Sequence, residues 1–392
     1  MIKCSEIIDV RDGTHDSPKY QLEGYPLVTS KNIKNNEIDF TNVNYISKED
    51  YKKINTRSSV DNGDILMPMI GTVGNPVLVQ TTEKFAIKNV ALFKLANNEN
   101  VDCKYFYYLL NSNIVKNQLE SNKRGGTQNF VSLNNIRGLM IPLFQREQQR
   151  YIATVLDKAQ GLIDKRKSQI ESLHELVKSQ FIEMFGNTVI NSKGWDIKNL
   201  GTLGYFKNGM NYKQSDSGFN IKFLGVGEFK YGNKIDSSNI LPTLGLQEEP
   251  NEEYILKKGD IVFVRSNGSK ELVGRSILVR KLEEKTTYSG FCIRYRNQCE
   301  DLIPDFLIHL FADENFKKAF KNDSRGVNIN NLNQQMLSSL KIIVPPLELQ
   351  SEFADFVNQV DKLKFEMQKS LEEMENNFNS LMQRAFKGEL FK

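Results

Sequence analysis

Short apolar runs, broken by Gly, Asn and Pro, fill the first third of each half of the chain. Asp64-Ile65-Leu66-Met67, Asn75-Pro76-Val77-Leu78-Val79 and Val90-Ala91-Leu92-Phe93 read as strands. Their counterparts are Asp260-Ile261-Val262-Phe263-Val264, Arg275-Ser276-Ile277-Leu278-Val279 and Phe291-Cys292-Ile293-Arg294-Tyr295. Shorter helices are expected near 103–118 and 304–321. Each is followed by a Gly-containing loop (Arg124-Gly125-Gly126-Thr127; Arg325-Gly326-Val327) and a last strand that runs into proline (Met140-Ile141-Pro142; Ile343-Val344-Pro345-Pro346).

Beyond each proline the period changes from two to seven. Leu156, Ile163, Ile170, Val177 and Met184 form one row; Ile152, Ala159 and Leu173 fill the other seam position, with Arg166 and Gln180 as polar breaks. The second half repeats the pattern with Phe353, Val360, Met367, Met374 and Leu381, flanked by Val357, Leu371, Phe378 and Ala385. Pro ahead of each run and Gly behind it (Gly186, Gly388) mark start and stop. Each helix is expected to hold roughly 38 residues, about 57 Å at about 1.5 Å per residue. Helices of this kind are unstable alone, so each is expected to pair with the other. The first junction, Pro142-Leu143-Phe144-Gln145-Arg146-Glu147, reads as two residues longer than the second and lacks its second proline.

The order of these elements is itself repeated. Val10-Arg11-Asp12-Gly13 matches Phe206-Lys207-Asn208-Gly209, and Gly63-Asp64-Ile65-Leu66 matches Gly259-Asp260-Ile261-Val262, both at an offset of 196. Gly74 with Val77-Leu78-Val79 matches Gly274 with Ile277-Leu278-Val279 at 200; Arg124-Gly125 matches Arg325-Gly326, and Ile152-Ala153 matches Phe353-Ala354, at 201. Matches that keep order and drift by a few residues indicate a duplication with small loop insertions. A repeat this long is a whole domain rather than a solenoid unit. The expected fold is α+β: two β-rich domains (1–144 and 187–346) alternating with two long helices (145–186 and 347–392). These helices pair as an antiparallel coiled coil in a pseudo-two-fold tandem repeat. Such symmetry suits a ligand with two similar half-sites, as DNA is for dimeric readers.

Composition narrows the function classes. At 39% hydrophobic and 26% charged residues, with 24 Phe and 14 Tyr, the chain can build sizeable globular cores. The net charge of +4 is too small to indicate nucleic-acid binding alone, so positive charge must be local or a partner must share the contacts. Cys4, Cys103, Cys292 and Cys299 form no CxxC pair and join no cluster with His15, His174 or His309, so no metal site is expected and free thiols in a reducing compartment are. Met1-Ile2-Lys3-Cys4-Ser5-Glu6 has no signal-peptide apolar core and no run approaches membrane-spanning length, so a cytoplasmic location and no membrane contact are expected.

Three enzymatic readings fail on their motifs. Phe223-Leu224-Gly225-Val226-Gly227-Glu228 imitates a nucleotide-binding Gly loop, but Lys230-Tyr231-Gly232-Asn233 reads as a turn where a helix is needed, and no Asn-Pro-Pro-aromatic element follows. Asp216 with Glu228-Phe229-Lys230 imitates a metal-dependent nuclease, yet acid-x-Lys triplets are commonplace in a charged chain. His15 lies beside Thr14 and Asp16, but no G-x-S-x-G nucleophile turn exists to serve.

Asp12-Gly13-Thr14-His15-Asp16-Ser17-Pro18-Lys19-Tyr20, Thr29-Ser30-Lys31-Asn32-Ile33, Gly63-Asp64-Ile65-Leu66, Gly71-Thr72-Val73-Gly74 and the two junctions (Ile141-Pro142-Leu143 to Glu147-Gln148; Val344-Pro345-Pro346-Leu347 to Gln350) resemble the specificity subunit of type I restriction-modification systems, over essentially the whole chain. The resemblance implies that each β-rich domain is a target-recognition domain reading one half of a bipartite site in double-stranded DNA. It implies that the helices set the half-site spacing and dock two methyltransferase subunits, with restriction subunits in the full complex. The chain itself would be non-catalytic and hold no cofactor; S-adenosylmethionine, ATP and Mg²⁺ would serve the partner subunits. Base readout needs Arg, Lys, Asn or Gln with bidentate reach, and phosphate contacts use Lys, Arg, Ser, Thr and backbone amides. By residue type and loop position the candidates are Thr14, His15, Lys19, Tyr20, Lys31, Asn32, Arg57, Lys123 and Arg124 in the first domain. In the second they are Lys207, Asn211, Tyr212, Lys213, Arg265, Asn267, Lys270, Arg275 and Arg325. The bland alternative for each is a solvated surface residue. For the chain, the alternative is a non-catalytic coiled-coil scaffold with two protein-binding modules.

Overall fold

The computed structural model describes residues 1–34, 36–71, 73–122, 130–212, 218–269, 271–323 and 331–391. By packing, the chain divides into two units: residues 1–168 with 368–392, and residues 169–367. Each unit is an α+β head together with a segment of both long helices.

In unit 1, strands β1 (Asp9–Asp12), β2 (Ile65–Pro68), β3 (Val77–Leu78) and β4 (Val90–Lys94) form an antiparallel sheet in the order β1-β4-β2-β3. β2 and the core of β4 are buried on both faces, which explains their unbroken apolar runs. Ile65, Met67, Ala91 and Phe93 face the helical side, where Phe93 meets Phe106 at 5.2 Å between ring centroids. Leu66, Val90 and Leu92 alternate to the other side, against Val28, Ile33 and Ile87. The helical side is led by α1 (Cys103–Asn111), whose start is capped by Asp102 accepting from the Lys104 and Tyr105 amides.

Unit 2 repeats the plan. Strands β5 (Gly204–Asn208), β6 (Ile261–Val264), β7 (Ser276–Val279) and β8 (Cys292–Asn297) are ordered β5-β8-β6-β7, and Lys234–Ile235 adds a parallel strand at β7. Ile261, Phe263, Ile293 and Tyr295 pack on the helical side; Val262, Val264, Ile277 and Cys292 pack on the other. The counterpart of α1 begins on a proline, Pro304, at its first turn.

The long helices are α2 (Arg146–Phe185) and, after the unit 2 helix α3 (Pro304–Ala312), α4 (Leu347–Phe386), each of 40 residues. Every seam position expected from the heptads is buried or half-buried, Arg166 and Gln180 included. In unit 1, Ile152 and Leu156 of α2 share a core with Met382, Ala385 and Phe386 of α4, and Lys167 pairs with Glu375 at 2.7 Å. In unit 2, Val177, Phe181 and Phe185 meet Phe353, Val357 and Val360, and Lys364 Nζ lies 2.6 Å from His174 Nε2. Within each unit, rising numbers on one helix meet falling numbers on the other, so the segments run antiparallel. Gly186 and Gly388, at φ 74° and 77°, close the helices in the left-handed conformation that glycine adopts without strain.

Two pairs of buried polar residues explain the conserved order of the repeat. Gln149 is fully buried at the start of α2: its Oε1 accepts from the Asp102 amide (2.8 Å), and its Nε2 donates to the Asn100 and Phe144 carbonyls (2.9 Å each). Gln350 repeats this at the start of α4, accepting from Ile303 (2.9 Å) and donating to Asp301 and Pro345 (2.8 Å each). The junctions are therefore equivalent residue by residue at an offset of 201. Counted from proline to helix, the first junction is two residues longer, as expected (Pro142 to Arg146 against Pro345 to Leu347), and at the offset of 201 Phe144 stands at the place of Pro345.

Asp64 and Asp260 of the matched Gly-Asp pairs are likewise buried. Asp64 accepts from the amides of Asp61, Leu95 and Ala96 and pairs with Lys94; Asp260 accepts from the Lys257 amide and pairs with Arg296 at 2.6 Å. These carboxylates build the turn into β2 and β6, and the cation from the neighbouring strand compensates their desolvation.

Candidate nucleic-acid interface

The strand registers gather specific loops at one end of each sheet. In unit 1, Asp12 at the end of β1 pairs with Ala91, while Pro68 at the end of β2 pairs with Val90 at the start of β4. The chain after β1, before β4 and after β2 therefore emerges from the same end. An isolated bridge from Ile70 to Phe130 places Phe130 there too. Unit 2 is arranged alike: Asn208 pairs with Ile293, Val264 with Cys292, and Ser266 bridges to Asn331. A close backbone crossing underlies each loop. A Cβ on Gly13 would lie 2.2 Å from the Ile87 carbonyl oxygen, and one on Gly209 2.0 Å from that of Ser289, so only glycine fits where the chain leaves β1 and β5.

In unit 1 this end carries a charged network. The Asp12 carboxylate accepts from Arg57 (2.6 Å) through one oxygen and lies 2.8 Å from His15 Nε2 through the other; His15 Nδ1 is 2.8 Å from Asn89 Oδ1. His15 and Arg57 each remain 64% exposed by side chain, so the carboxylate holds their orientation without burying them. Thr14, His15 and Arg57 line an open concavity of about 450 Å³ together with Ser17, Asp50 and Lys53. Lys88 donates to Ser17, one of the lining residues, at 2.6 Å. Lys19 and Tyr20 are exposed on the loop after β1, and Lys31 is exposed on the turn Ser30–Asn32.

In unit 2, Asn211 and Tyr212 are exposed after β5, and Tyr212 packs edge-on against Phe223 at 5.0 Å. Arg265, half-buried, follows β6; Asn267 and Arg275 are exposed on the same loop. Lys123, Arg124, Lys213, Lys270 and Arg325 lie outside the described residues.

Two candidates are corrected. Asn32 is 5% exposed, and its amide is committed to its own loop: Oδ1 accepts from Thr29, and Nδ2 donates to the Asp39 and Asn42 carbonyls. It shapes the turn rather than facing a ligand. Lys207 sits inside β5, paired with Glu253 at 2.7 Å and over the Tyr254 ring; its hydrogen bond to the Glu253 carboxylate raises its pKa. Its charge is answered within the head. Sequence reasoning also missed residues at the loop end: Lys53 and Lys88 in unit 1, and Phe291, 62% exposed just ahead of β8. A large apolar residue next to Gly290 on a strand-start turn was the legible signal for Phe291.

The enzyme-like motifs resolve into local structure. The segment after Leu224 is the 3-10 turn Val226–Tyr231, and Glu228 accepts from the Gly225 amide at 3.0 Å, capping its own turn. Asp216 lies outside the described residues. Among the described residues no group of three or more His, Cys, Asp or Glu side chains is placed to hold a metal ion, and no helix is long and apolar enough to cross a membrane.

Comparison with known proteins agrees with this duplicated layout. The family model described as "Type I restriction modification DNA specificity domain" matches twice, over residues 1–173 and 192–376. The specificity subunit of the type I restriction enzyme StySPI from Salmonella potsdam is 24% identical over 388 residues, covering 93% of this chain and 82% of that protein. The crystal structure of a type I restriction-modification S subunit from M. genitalium is 18% identical with a TM-score of 0.51, covering 98% of this chain and 95% of that one. A chain from a structure described as underlying complex assembly and conformational transition of the type I R-M system is 17% identical with a TM-score of 0.63, covering 98% and 96%. The chain belongs to the type I restriction-modification DNA specificity family, as a specificity subunit that carries the specificity domain twice.

Proposed function

We propose that each head reads one half of a bipartite target in double-stranded DNA with the loop end of its sheet, and that the chain performs no catalysis. The observation that carries this reading is the matched gathering of exposed Arg, Lys, His, Asn and Tyr side chains at the same end of two sheets with the same strand order. Arg57 and His15, oriented by Asp12, and Asn267 and Arg275 on the loop after β6 are the groups best suited to base edges and phosphates. The long helices set the half-site spacing and dock two methyltransferase subunits; restriction subunits join in the full complex, in the cytoplasm. S-adenosylmethionine, ATP and Mg²⁺ serve those partners, and this chain holds no cofactor.

With a net charge of +4, the chain alone supplies few phosphate contacts, so its own DNA affinity is low and only weakly salt-dependent. Gel-shift titration of the chain with and without its methyltransferase subunits tests this. Tight, sequence-dependent binding only in the complex is expected. Equal affinity in both states contradicts the division of labour, and no DNA binding by the folded complex contradicts the reading as a whole.

A further inference from the structure

The turns that lead into β4 and β8 differ by one residue. In unit 1 the Asn89 amide donates to the Thr14 carbonyl (3.2 Å), and in unit 2 the Gly290 amide donates to that of Met210 (2.9 Å). One step further, the Gly13 amide donates to the Val90 carbonyl (3.1 Å), and the Gly209 amide to that of Cys292 (3.0 Å). Asn89 and Val90 are neighbours in the chain, whereas Phe291 stands between Gly290 and Cys292. Unit 2 thus carries one residue more in this turn, and that residue is a phenylalanine left 62% exposed. Its backbone is fixed on both sides: the Phe291 amide donates to Ser289 Oγ (3.2 Å), and the Phe291 carbonyl accepts from the Arg265 amide (2.8 Å). Gly290 presses the turn onto the loop after β5, since a Cβ there would lie 2.3 Å from Asn211 Oδ1.

A single exposed apolar residue is ordinary on a protein surface. Phe291 is distinguished by being an insertion, by its fixed backbone, and by its place beside Arg265 and Asn211 at the loop end of the sheet. Unit 1 offers polar groups at this place: Asn89 Oδ1 lies 2.8 Å from His15 Nδ1. Base edges present donors and acceptors to Arg and Asn, but to an apolar ring the major groove presents one complementary group, the 5-methyl of thymine. We propose that Phe291 determines specificity in the half-site read by unit 2 by packing on the 5-methyl group of a thymine, with Arg265 and Asn211 supplying polar contacts beside it. The assignment rests on the reading of each head as a DNA reader, and it confines the Phe291-dependent contact to one half-site.

Deoxyuridine lacks only that methyl group and pairs with adenine as thymidine does. The test is an anisotropy titration of the chain in complex with its methyltransferase subunits. The duplexes carry the motif that the complex methylates, with each thymine of both half-sites replaced in turn by deoxyuridine. At one thymine, in one half-site, the replacement is expected to weaken the wild-type complex by about fourfold, the value of one buried methyl group. Phe291→Ala should bind the thymine and deoxyuridine duplexes equally at that position. Phe291→Leu, which keeps an apolar side chain, should retain the preference. Circular dichroism checks folding, and Phe291→Asn serves the same comparison if Phe291→Ala does not fold. Sequence-specific binding in which no deoxyuridine weakens the wild type overturns the assignment and leaves the DNA reading standing. So does a folded Phe291→Ala complex that responds as the wild type does at every thymine. A wild-type complex that binds no duplex sequence-specifically overturns both.

Discussion

Gln350→Ala should destabilise unit 2 far more than an average substitution, although it touches neither the candidate interface nor a large apolar cluster. The side chain is fully buried and makes three hydrogen bonds, one received from the Ile303 amide and two given to the Asp301 and Pro345 carbonyls. Each such bond contributes about 1 kcal/mol net, and stranded buried partners add to the loss, so the change costs about 3 kcal/mol. For a unit of this size that lowers the thermal midpoint by roughly 6–12 °C. Urea unfolding of the full chain, followed by circular dichroism, reads it as a downward shift of one transition. Gln149→Ala should produce a similar shift in unit 1, because its three bonds are the same in kind and length. A loss below about 1 kcal/mol in both variants would refute the view that these glutamines lock each long helix to its head.

The remaining expectations concern backbone, pH and spacing. Gly209→Ala places a Cβ 2.0 Å from the Ser289 carbonyl oxygen and should cost about 3 kcal/mol or more; an unchanged urea midpoint contradicts the close crossing. Burial holds His309 at about 3 against an ordinary 6.5, so the unfolded chain takes up a proton first. The stability of unit 2 is therefore full above about 6.5 and lost as pH falls toward 3, and His309→Phe should flatten that part of the urea-midpoint profile. Inserting one heptad at matching levels of both long helices adds about 10 Å of helix, or about three base pairs. Methylation mapping should show the gap lengthened with both half-sites unchanged; altered half-sites contradict the spacing role.

Much of this was legible because it rests on period and order. The seven-residue rows lie wholly within the long helices Arg146–Phe185 and Leu347–Phe386, and the second helix ends six residues before the expected 392; a sustained seam has one structural solution in water. The apolar runs at Ile65 and Ile261 became central strands. Residue type was a weaker guide to the interface. Asn32 and His15 look equally suitable in sequence, yet a neighbouring turn claims every polar atom of one while Asp12 holds the other at the surface. Lys207 was lost to Glu253, 46 positions away, a pairing that no local pattern signals. Proline marked the approach to each long helix, but the equivalence of the junctions is carried by a buried glutamine whose partners lie 47 and 49 positions upstream, which no local pattern signals.

The central claim is that two heads read two halves of one DNA target. The most direct test is methylome sequencing of a host lacking other methyltransferases, expressing this chain with its methyltransferase subunit, as wild type and with Arg57→Ala or with Asn267→Ala and Arg275→Ala. The account predicts a bipartite methylated motif with a fixed gap, relaxed in one half by the first variant and in the other half by the second. A folded, active complex that yields no motif, or one whose two halves respond together to either variant, contradicts it.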